Sequence, residues 1–189
     1  MITAIRRKLR AFLAAERGAA AVEFTLVVPL MLLLYVASLE LSQAITVDRR
    51  ITTVAGTIGD LVARSKSKIT QDELNANFAA AQSIMRPFST TDLKQVVTQL
   101  QLDDNGVATV IWSKGFNGGE PHVAGDTFPI TDVPEMSNLA KKNYLIVSET
   151  SYDYLPLLGL FFKTAFPFYQ RNYYLPRFGG KIDYCETTC

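Results

Sequence analysis

Among the residues able to do chemistry in this sequence, the most demanding is Glu23, which stands directly before the uncharged run Phe24 to Leu39 (FTLVVPLMLLLYVASL). An ionisable side chain within a membrane-length apolar segment costs on the order of 3 kcal/mol at its centre, less near an end, and is usually retained for a partner. Such a carboxylate can neutralise a cation. The single histidine, His122, lies in the Gly/Pro-rich stretch Gly118-Gly119-Glu120-Pro121-His122 and reads as a surface-loop residue. No glycine-rich phosphate loop, zinc-ligand spacing or nucleophile elbow occurs, so an enzyme is the class these residues support least, and no cofactor or metal follows from them. Asp103 and Asp104 lack the calcium-loop pattern, and turn chemistry accounts for both.

Cys185 and Cys189 are the only cysteines. Two exclude a disulfide-scaffold fold but allow one bridge, and oxidation is expected if this part of the chain faces an oxidising compartment. The formal net charge of +1 conceals an asymmetry. Residues 1–18 carry Arg6, Arg7, Lys8, Arg10 and Arg17 against Glu16, net +4, which leaves −3 for the rest. That balance does not make a nucleic-acid surface. With 189 residues and a mean hydropathy of +0.12, the chain suits one modest domain plus an apolar appendage.

The elements that must position these residues follow from the pattern. The mainly apolar segment 19–41 would make a helix of about 35 Å, long enough for a hydrocarbon core of roughly 30 Å. Basic residues before it place the N-terminus in the cytoplasm and the rest outside, although Arg49 and Arg50 on the far side soften the contrast. Over 42–68, Val47, Ile51, Val54, Ile58, Leu61 and Val62 recur mostly at three- and four-residue steps, the mark of an amphipathic helical stalk weakened by Gly56 and Gly59. Thr70-Gln71-Asp72-Glu73 has the capping-box form and opens a second helix with Leu74, Phe78, Ala81 and Met85 inward and Pro87 as its stop.

Leu93 to Leu102 and Val107 to Trp112 read as strands joined through Asn105-Gly106. Residues 115–134 read as a loop, and further strands are expected at Tyr144 to Tyr154 and Tyr169 to Leu175. The expected fold is α+β: a long N-terminal transmembrane and amphipathic helix, a second helix, and a four-stranded antiparallel sheet in an extracytoplasmic domain spanning 69–189. Tyr144, Tyr152, Tyr154, Tyr169, Tyr173 and Tyr174 read as strand packing more readily than as a recognition surface. Likewise, Leu157, Leu158, Leu160, Phe161, Phe162 and Phe166 are expected to cover one face of the domain core rather than form a subunit contact or rest on the membrane.

The stretch Arg17-Gly18-Ala19-Ala20-Ala21-Val22-Glu23-Phe24 resembles the precursors cut by prepilin peptidase, and most closely the TadE-like proteins of the tight-adherence (Flp) pilus. In that class a basic leader ends in glycine, the peptidase cuts after it, and a glutamate stands fifth in the mature chain. Gly18 matches the glycine, Ala19 the new N-terminus, Glu23 the glutamate and Phe24 the aromatic residue that follows it, while Pro29 within the apolar run also looks TadE-like. Residues 6–50 carry the resemblance, and the chain's length fits the shorter TadE or TadF type.

The resemblance implies a leader at 1–18 and a non-catalytic minor pilin or pseudopilin in the inner membrane or a pilus. Its implied partners are the peptidase, other pilins and the inner-membrane assembly platform. Two other readings stay open. Ser42-Gln43-Ala44 resembles a general signal-peptidase site, which would release a domain starting at Ile45; Glu23 and Glu40 stand against that cut. The other is an uncut single-pass anchor carrying a binding domain.

Overall fold

The computed structural model describes residues 18–187 apart from 131–132, 134, 137–139, 157–158 and 160–163. The basic leader, Cys189 and most of the apolar stretch after Leu155 therefore lie outside the described residues. Two compact units are present, Met1–Gln43 and Ala44–Cys189.

Helix α1 runs from Ala19 to Ala63, 45 residues with Pro29 inside. In the first unit its apolar side chains stand open, with Val22, Phe24, Leu26, Leu30, Met31 and Leu34 all exposed. The hydroxyls there are satisfied locally. Thr25 Oγ1 donates to the Ala21 carbonyl and Ser38 Oγ to that of Tyr35, each at 2.7 Å, which removes free donors from a segment without polar surroundings. This helix is long and apolar enough to cross a membrane.

In the second unit the rest of α1 joins strand β1 (Lys68–Thr70), helix α2 (Gln71–Gln82), and strands β2 (Leu93–Leu102), β3 (Ala108–Phe116), β4 (Thr127–Phe128), β5 (Tyr144–Tyr154), β6 (Phe166–Tyr174) and β7 (Asp183–Cys185). The main sheet is antiparallel in the order β4-β3-β2-β5-β6, and β1 and β7 form a separate parallel pair. The sheet thus has five strands, not the expected four. β4 was missed because two residues inside a Gly/Pro-rich loop carry no alternation, and the three-residue strands β1 and β7 are equally short for a period-two signal.

The amphipathic pattern after residue 44 serves the domain core. Val47, Ile51, Val54, Ile58 and Val62 are fully buried and pack with Leu74, Phe78, Leu93, Val97, Ile146 and Tyr152. Gly59 lets α1 lie close to the sheet, since a Cβ there would stand 2.5 Å from the Tyr174 ring and 2.8 Å from Ser148 Oγ. Ser148 Oγ in turn donates to the Ala55 carbonyl at 2.6 Å. Helix α2 has both capping-box bonds, Glu73 N to Thr70 Oγ1 (3.3 Å) and Thr70 N to Glu73 Oε2 (2.9 Å). Leu74, Phe78 and Ala81 point inward as the spacing predicts, and the Phe78 ring stacks on Phe116 at 5.1 Å.

The face of the sheet away from the helices is also covered. Leu100, Val110, Leu145 and Val147 form a second cluster there beneath Phe128 and Ala140. This explains why the central strands are buried on both faces instead of alternating.

Candidate functional site

Gly18 directly precedes α1, and Glu23 lies four residues after Ala19, one helical turn along the same face. Both Glu23 and Phe24 are exposed. A Cβ built on Gly18 meets nothing within 4 Å, so packing among the described residues does not demand glycine at this position.

The second constellation lies on the loop-covered face of the sheet, where register sets side chains in rows. Lys94 faces Ser151, which faces Tyr169; in the adjoining row Val96 faces Glu149, which faces Arg171. Glu149 is buried, 7 % exposed, and its carboxylate is surrounded by donors. Arg171 donates from Nε (3.1 Å) and a terminal nitrogen (2.9 Å) to Oε1, which also accepts from the Tyr169 hydroxyl. His122 Nε2 lies 2.6 Å from Oε2. Arg171 further sits over the rings of Phe128 and Tyr169, 5.1 and 5.5 Å from their centroids.

Burial alone would raise the Glu149 carboxyl. The hydrogen bonds from Tyr169 and His122, with the charges of His122 and Arg171, outweigh it and hold the group below the ordinary carboxylate range. Burial and the adjacent Glu149 push the Tyr169 phenol well above its ordinary value, so it remains a donor.

His122 is held in place by its neighbours to a degree its loop position did not reveal. Its backbone N–H donates to Ser113 Oγ at 3.0 Å, and its ring meets Phe128 edge-on at 4.9 Å. The chain returns here through a tight turn in which Asn117 and Gly118 both have positive φ (52° and 82°) and Gly119 N donates to the Phe116 carbonyl, a turn that favours the Asn-Gly pair. Sequence reasoning missed Glu149, Arg171 and this turn. The Asn117-Gly118 pair was the available signal for the last.

Asp103 caps its turn by accepting from the N–H groups of Asn105 and Val107, both at 2.8 Å, and Asp104 pairs with Lys142 at 3.1 Å. Tyr152 and Tyr154 are core residues, whereas Tyr169 keeps half its surface open. Cys185, in β7, is disulfide-bonded; Cys189 lies outside the described residues.

No curated protein and no solved structure matches the chain. The model of one family does match, and it covers the apolar helix and its continuation into the core: over residues 18–58 the chain is similar to the TadE-like proteins.

Proposed function

We propose that the chain is a non-catalytic minor pilin or pseudopilin of a tight-adherence (Flp-type) pilus, cut by prepilin peptidase between Gly18 and Ala19 and inserted once in the inner membrane with its C-terminal domain outside the cytoplasm. The observation that carries this reading is the TadE-like match over 18–58, which coincides with an exposed apolar helix bearing Glu23 one turn from Ala19. Cleavage creates an amine at Ala19, and in a bundle of such helices Glu23 neutralises the amine of a neighbouring subunit. Desolvation offsets much of that attraction, so the pair sets register more than it adds net stability. Phe24 packs beside it. Other pilins and the inner-membrane assembly platform are the partners, and adhesion or secretion is the output.

The deciding experiment is the mature N-terminus by mass spectrometry from cells containing the cognate peptidase. Ala19 is expected. Met1 would mean a plain anchored binding domain. Ile45 would mean a secreted one, released by a cut after Ser42-Gln43-Ala44.

A further inference from the structure

The face of the sheet bearing Glu149 opens into a cleft of about 380 Å³, within the range of roughly 300–1,000 Å³ typical of small-ligand sites. Its walls are the row Lys94, Ser151 and Tyr169 on one side and the returning loop with Glu120 and His122 on the other. We propose that this cleft binds a neutral saccharide, its ring stacked on the half-open Tyr169 and its hydroxyls bonded to Lys94, Ser151 and Glu120.

Three observations point to that class. First, the lining mixes polar and apolar surface: Val96 is its one aliphatic side chain, and the Tyr169 ring stands among charged and hydroxyl groups, a combination that suits a ring bearing hydroxyls better than a wholly hydrophobic ligand. Second, the charges are of both signs. Arg171 and His122 both lie against Glu149, and the other charged groups of the lining are one of each sign, Lys94 and Glu120, so no cluster of like charge marks the cleft for a phosphate or an ammonium group. What remains is an alternation of donors and acceptors suited to hydroxyls.

Third, the aromatic wall is fixed before any ligand arrives. The Tyr169 hydroxyl is tied to Glu149 and accepts from Arg171 Nε at 2.9 Å, and the opposite wall is fixed because a Cβ on Gly119 would stand 2.3 Å from the Gln95 carbonyl oxygen. A preorganised aromatic face beside polar groups lowers the ordering cost of binding. This site lies outside residues 18–58 and does not depend on the pilus reading.

The test uses the full chain in detergent, titrated with glucose, galactose, N-acetylglucosamine and their disaccharides, with glucuronate as an anionic control. The single histidine provides one imidazole NMR signal at the cleft wall. The expected result is a saturable shift of that signal by at least one neutral sugar, with Kd on the order of 1 mM. A Lys94→Ala/Ser151→Ala variant should weaken it by about tenfold or more at unchanged Tm. No saturable shift with any neutral sugar, tighter binding of glucuronate than of all of them, or undiminished binding by the folded variant would each overturn the proposal.

Discussion

Glu149 is the residue on which the outer face of the sheet turns, because a buried carboxylate is tolerable only while its donors stay in place. Removing it leaves Arg171 without its bidentate partner, and Glu149→Ala should cost about 3 kcal/mol, read as a lower midpoint in urea. The pH dependence has a definite sign. A carboxyl held below its ordinary value of 4.5 contributes stability that is complete above that pH and is lost as pH falls toward the depressed folded value. The Tm difference between wild type and Glu149→Gln should therefore narrow progressively once the pH drops below about 4.5. No gap at neutral pH would show that shape, not charge, is what Glu149 supplies. At the other end of the chain, Gly18 and Glu23 separate two events. Gly18→Leu should leave the precursor uncut, whereas Glu23→Gln should be inserted and cut normally but fail to co-purify with other pilins. Full piliation by the glutamine variant would remove Glu23 from assembly.

At the scale of elements, helix α1 shows how a local weakness becomes a packing device. Gly56 and Gly59 read from sequence as flaws in an amphipathic helix, yet at Gly59 a Cβ would stand 2.5 Å from the Tyr174 ring. Gly59→Ala gains roughly 1 kcal/mol of helix propensity but forces the ring and Ser148 aside, at about 1–3 kcal/mol. It should be net destabilising in thermal melts. Gly56→Ala, whose Cβ would stand 3.3 Å from the Tyr174 hydroxyl, should cost less than Gly59→Ala. The elements legible in sequence were those with a sustained period or a cap: β2 and β5 appear at the expected bounds, and the Thr70–Glu73 box starts α2. β3 runs on to Phe116 because Lys114 packs over the Tyr184 ring (4.2 Å) and Phe116 on Phe78, contacts that a window of sequence cannot contain. The Glu149 cluster was invisible for the same reason. His122, Glu149 and Arg171 meet only through strand pairing and a loop that doubles back.

Across the whole second unit, the parts nearest its two ends are stitched together. β1 pairs with β7 in parallel, the Ala63 carbonyl accepts from Arg177 N at 2.9 Å, and Ile182 is fully buried. The only tryptophan records this closure, since Trp112 Nε1 donates to the Ile182 carbonyl at 2.7 Å. Order of synthesis then matters. A chain emerging N-terminus first has α1, α2 and most of the sheet in hand, yet cannot complete its core until residues past 180 have appeared. A polypeptide passing through a translocation channel would remain threadable until residues past 180 had crossed, and the finished fold would form only on the far side. Stopping the chain at Gly180 should abolish the native Trp112 fluorescence, while supplying the remaining residues restores it.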